Sequence, residues 1–156
     1  MTKRAIWLAA VVSLIAVLSG CAPEPPASSQ PSSEAVPASQ IDANVPAEAD
    51  FSRFLIRDCD KYLRSQGYNG DVVSVELLRQ GPTQVGTGYP KFYAWLTMTN
   101  RGKPVVEGAA RIEAIDRKEL HVTDFVRKAD IKSGKAKLED IFPATLLADI
   151  QTRAAK

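Results

Sequence analysis

One histidine, His121, serves all 156 residues, and there are only two cysteines, Cys21 and Cys59. A single histidine excludes zinc sites built on histidine pairs and the zinc-protease helix motif. A serine–histidine–acid arrangement has only His121 to draw on, and no Gly-x-Ser-x-Gly turn accompanies it. No Gly-x-x-x-x-Gly-Lys loop is present to cradle a phosphate. Residues 22–48 lack glycine, aromatic residues and bases, and after Leu18 no apolar run approaches the length of a membrane span. A balance of 20 Lys/Arg against 18 Asp/Glu offers no large cationic excess for nucleic acid.

What is present divides into three parts. Met1–Arg4 is a short basic head, and Ala5–Leu18 is an apolar run broken only by Ser13. At about 1.5 Å per residue that run falls short of the roughly 20 residues a membrane span needs, which makes residues 1–20 an export signal. Residues 21–48 hold six prolines, five serines and six alanines, a composition that cannot bury enough apolar surface to offset its ordering entropy. They are expected to be a disordered tether. Residues 49–156 then have to form the core of a single domain, too short for a two-domain enzyme. The acids Glu24, Glu34, Asp42 and Glu48 of the tether offset the four-unit basic excess of the domain, so the mature chain sums to zero.

Leu18-Ser19-Gly20-Cys21 resembles the lipobox of bacterial lipoproteins, a leucine, two small residues and a cysteine directly after the apolar run. The resemblance implies diacylglycerol transfer to the Cys21 thiol, cleavage between Gly20 and Cys21, and acylation of the new amino terminus. Several acyl chains on one residue make a lasting anchor, because each buried methylene contributes about 0.8 kcal/mol. In that family an aspartate after the cysteine often marks inner-membrane retention. Ala22 stands there instead, which implies the outer membrane, facing the periplasm. With Cys21 lipidated, Cys59 has no partner within the chain and is most simply a small buried hydrophobe.

Within the domain, Phe51, Phe54, Leu55, Cys59, Tyr62 and Leu63 fall on one face of an amphipathic helix that ends at Gly67 or Asn69-Gly70. Val72–Arg79, Lys91–Thr99, Val105–Asp116 and Leu120–Val126 have strand character, and residues 80–90 form a loop rich in glycine and proline. Pro143 opens a last helix striped by Leu146, Leu147 and Ile150. The pattern predicts an α+β domain: a helix packed on a curved antiparallel sheet of about four strands, with one wet face, plus a C-terminal helix. That order resembles the cystatin-like and nuclear-transport-factor-2-like folds over residues 50–126.

Candidate partner-binding residues are Gln84, Val85, Gly86, Thr87, Gly88, Tyr89, Tyr93 and Trp95. Gln84-Val85-Gly86-Thr87-Gly88 resembles the Gln-x-Val-x-Gly hairpin that cystatins insert into cysteine-protease clefts, although the valine comes one residue early. Tyr93 and Trp95 alternate away from Phe92, Leu96 and Met98, so they either present aromatic surface to a partner or lie beneath the C-terminal helix. Arg127, Lys128, Lys132, Lys135 and Lys137 crowd a short stretch with Asp130 as its one acid, most simply as a solvated face and alternatively as a contact for anionic headgroups or an acidic partner. These features imply a non-enzymatic membrane-anchored envelope lipoprotein that binds other envelope proteins as a scaffold or as part of an assembly or secretion machine. The alternatives are a periplasmic inhibitor or immunity-type protein that blocks an enzyme cleft with the 80–90 loop, and a small hydrolase using carboxylates such as Asp116, Glu119 and Asp124. No metal or other cofactor is implied, and no nucleic acid.

Overall fold

A computed structural model describes residues 43–86 and 88–156. The signal, the lipobox and the tether up to Asp42 lie outside those residues. Helix α1 spans Glu48–Ser65, with Glu48 and Asp50 in its first turn and Arg64 in its last, each matching the helix dipole. Its end is set by Gly67 at φ +85°, which lets the Gly67 and Tyr68 N–H groups turn back to the Arg64 and Leu63 carbonyls. Just before the helix, Pro46 is buried and Val45 packs against the core. Ala43 accepts a hydrogen bond from Arg117 Nε at 3.2 Å. The last residues of the Pro-rich stretch therefore lie against the domain.

Four strands follow: β1 (Val72–Leu77), β2 (Lys91–Asn100), β3 (Lys103–Asp116) and β4 (Glu119–Arg127). They form one antiparallel sheet in the order β1-β2-β3-β4. The β2–β3 connection is a two-residue turn with Arg101 and Gly102 both at positive φ, which suits the twist of a hairpin. Val105, Thr123 and Ile115 are each an extra residue in the ladder, and such bulges bend a sheet. Beyond β4 come the short helix α2 (Lys128–Lys132), a single 3₁₀ turn (Leu138–Asp140) and helix α3 (Ala144–Ala155), with Pro143 at its N-cap. This is the α+β layout that the sequence pattern predicts, a helix, a four-stranded antiparallel sheet and a C-terminal helix.

The sheet is dry on both sides over much of its area, which corrects the expectation of one wet face. Leu55, Cys59 and Leu63 of α1 pack on Phe92, Leu96, Met98, Ile112 and Leu120. On the other face, Leu146, Ile150 and Ala154 of α3 meet Tyr93, Trp95, Ala109 and Val126. Polar groups border this second layer on both sides: Arg111 pairs with Asp124 at 2.6 Å and Lys91 with Glu113 at 3.4 Å near the start of β2, while Lys128 pairs with Glu107 and Arg153 with Glu76, each at 2.7 Å, beside Trp95. Helices therefore lie on both faces of the sheet, each closing its own apolar layer.

Candidate functional site

The 80–90 loop is anchored at its base and exposed at its tip. Thr83 and Lys91 exchange backbone hydrogen bonds of 2.8 and 2.7 Å, extending the start of β2 by one bridge. The Thr83 hydroxyl lies 3.5 Å from that of Tyr93. Between these points the Gly88 N–H returns to the Val85 carbonyl at 3.2 Å. Val85 is 84% exposed and Tyr89 45% exposed, whereas Pro90 beside them is buried. Gln84 is half-buried, and its Oε1 is shut away from solvent with no hydrogen-bond partner among the described residues. Thr87 lies outside the described residues, as do Gly20 and Cys21.

Two candidate residues do not belong to this surface. Tyr93 is buried and Trp95 is only 8% exposed. Phe142 stands 6.0 Å from the Tyr93 ring, ring centre to ring centre, and α3 covers Trp95. Their aromatic area is spent inside the second apolar layer and is not offered to a partner. The accessible part of the candidate set is thus the loop tip, Val85, Gly86 and Tyr89, with Gly88 partly covered.

Sequence reasoning missed the groove between α1 and the edge strand β1. It encloses about 450 Å³ and is lined by Phe51, Leu55, Ile56, Val75, Leu77 and Gln80. Its far end at Gln80 leads into the loop. Ile56 is exposed there, and β1 carries neither proline nor lysine to blunt its edge. The signal was present in the sequence as Ile56, an apolar residue off the main stripe of the helix.

A second cleft of about 320 Å³, between α1 and β4, gathers Asp58, Lys61, Glu119 and His121. Asp58 has structural work there. Both its oxygens take the Arg57 guanidinium, at 2.8 and 2.9 Å, and Oδ2 also accepts the Leu120 N–H at 2.9 Å. Arg57 goes on to donate to the Lys118 carbonyl at 2.6 Å. His121 faces solvent, 3.4 Å from Glu119. Asp116 accepts the Lys118 N–H at 2.6 Å, closing the β3–β4 turn. Among the described residues, no group of three or more His, Cys, Asp or Glu is placed to hold a metal. Burial pushes the Tyr62 hydroxyl up from its ordinary value, with the Asp124 and Tyr68 charges adding to it. Cys59 is fully buried, and burial, reinforced by the neighbouring Asp58 charge, pushes its thiol from 9.0 to about 12. No family model, no curated protein and no solved structure matches the chain.

Proposed function

We propose that this chain is a lipid-anchored protein of the bacterial envelope, held through Cys21 and facing the periplasm, whose domain docks on another envelope protein. One observation carries this reading: Leu18-Ser19-Gly20-Cys21 follows directly on the apolar run Ala5–Leu18. Serine in place of Cys21 lacks the thiol that accepts the lipid. Metabolic labelling with a lipid precursor is therefore expected to mark the native chain and not Cys21→Ser; equal labelling of both defeats the anchor.

Docking is supported by the exposed tip at Val85 and Tyr89 and by the groove that leads into the same loop, where Ile56, Val75 and Leu77 sit beside Ser52 and Glu76. The exposure of Val85 also favours a second reading, an inhibitor that inserts this tip into an enzyme cleft. Site-specific photo-crosslinking from position 85 and from position 56, in the native envelope, separates the two. A scaffold that uses the groove keeps its crosslinks from position 56 when Gln84–Gly88 is deleted, whereas an inhibitor loses its partner altogether. Absence of crosslinks from both positions rejects docking at this surface.

A further inference from the structure

The domain is electrically lopsided, and its cationic end carries exposed apolar residues as well. Antiparallel register brings the β2–β3 turn and the start of β1 to one end of the sheet, since Asn100 pairs with Lys103 and Val72 with Thr99. The end of β4 and helix α2 join them, because Pro104, Val105, Arg127 and Ala129 line one shallow recess of about 390 Å³. Arg101 and Lys103 are exposed here, Lys132 and Lys135 are exposed on the α2 segment next to it, where Lys132 borders a neighbouring recess with Gln151 and Ala154, and none of the four takes part in an ion pair among the described residues. Arg127 and Lys128 stand beside them, paired with Asp130 and Glu107 at 2.7 Å each. Asp71 is a further acid of this end and accepts the Arg101 backbone N–H at 2.9 Å, and Arg64, paired with Asp60, reaches the Gly70 carbonyl at 3.0 Å. Around the β3–β4 turn, at the opposite end, Asp116 and Glu119 flank Arg117 and Lys118.

Val72 is 58% exposed and Val105 is 41% exposed, and both sit at the cationic end. The register explains Val105: it is the extra residue of a bulge between the Met98–Val106 and Thr99–Pro104 pairs, turned out of the ladder. Apolar side chains set among unpaired lysines and arginines are the composition of a surface that rests on lipid headgroups. The four cations project into solvent from the β2–β3 turn, the start of β3, the end of α2 and the position after Gly134, and no acid pairs with any of them among the described residues.

We propose that this end of the domain, with Arg101 and Lys103 on the β2–β3 turn near Val72 and Val105 and with Lys132 and Lys135 on the adjoining α2 segment, rests on an anionic lipid surface and orients the domain on the membrane that holds it. The proposal builds on the Cys21 anchor. Reach permits it although the chain enters at the opposite end, near Arg117. Residues 22–42 extend to roughly 65 Å at about 3.1 Å per residue, more than the roughly 46 Å of the longest strand. A domain confined near the bilayer by its anchor needs only weak additional attraction to take up one orientation.

Residues 21–156 contain a single tryptophan, Trp95, which serves as the reporter. The lipidated mature chain is placed in phosphatidylcholine vesicles with and without phosphatidylglycerol, each carrying a dansyl headgroup acceptor, and energy transfer from Trp95 is measured. Transfer is expected to be higher with the anionic lipid and to fall back to the neutral level at high salt. The variant K103E/K132E/K135E is expected to lose the increment with an unchanged thermal midpoint, these side chains being exposed. Equal transfer on both vesicles overturns the proposal, as does a folded triple variant that keeps the increment. Displacement by polyglutamate at matched charge also overturns it, in favour of an acidic polypeptide partner. Failure of lipid labelling at Cys21 defeats the anchor itself, a result distinct from a labelled chain that ignores lipid charge.

Discussion

Asp58 on α1 accepts the backbone N–H of Leu120 on β4 at 2.9 Å, across 62 residues of chain. The carboxylate is buried along with Leu55, Cys59 and Leu63 of the same helix, though at 9% exposed it is the least covered of the four. It pins the β3–β4 hairpin to the helix while Arg57 neutralises it and reaches the Lys118 carbonyl. Asp58→Ala removes the acceptor and leaves the Leu120 N–H buried without a partner. The expected loss is about 1.5–3 kcal/mol, the range for hydrogen bonds to charged groups. Urea unfolding checks it; an unchanged midpoint shows that the helix and hairpin are held by packing alone.

Trp95 closes the apolar layer under α3, so Trp95→Ala is expected to cost roughly 3–5 kcal/mol through lost burial and the cavity left behind. Chemical denaturation reads the cost. A variant of native stability that has lost its partner crosslinks returns Trp95 to the binding surface.

Cys59 ties stability to alkaline pH. Its folded value of about 12 lies above the ordinary 9.0, so between these values the unfolded thiol releases its proton first. The protection is therefore complete below about pH 9 and is lost as pH rises toward 12, at no more than roughly 1.4 kcal/mol per pH unit. The difference in stability between native chain and Cys59→Ala should shrink across that window. Alkylation of the native thiol at pH 8 should be slow and should become fast in denaturant; rapid labelling of the folded chain contradicts the burial.

Gly108 marks a close approach inside β3. A Cβ there collides with the Val126 carbonyl oxygen and meets the Phe125 ring at 2.9 Å. Backbone cannot give way as a side-chain tip can, so Gly108→Ala is expected to destabilise by about 1–3 kcal/mol. A thermal melt that matches the native chain shows that β4 can shift to admit the methyl group.

Local pattern was enough for part of this molecule. The periodicity of Phe51, Leu55, Cys59 and Leu63 specifies the buried face of α1, because a helix presents every third or fourth residue to the same side. Turn chemistry at Asn100-Arg101-Gly102-Lys103 specifies the β2–β3 hairpin, because few residues accept positive φ. The resemblance of Leu18-Ser19-Gly20-Cys21 to a lipobox is legible in the same way, as four consecutive residues whose pattern does not depend on a fold. Tertiary structure alone decided the rest. Phe92-Tyr93-Ala94-Trp95-Leu96 is apolar on both faces of its strand, which fits an exposed aromatic surface or a second buried layer equally well; only the position of α3 chooses between them. Asp58 interrupts an apolar stripe and finds its reason in an N–H that is distant in sequence. The lopsided charge likewise has no trace in the net sum. The crowding of Lys132 and Lys135 with Arg127 and Lys128 is visible in the sequence, but Arg101 and Lys103 join that end of the domain only because antiparallel strands return to it, and like charges held near one another act as one field.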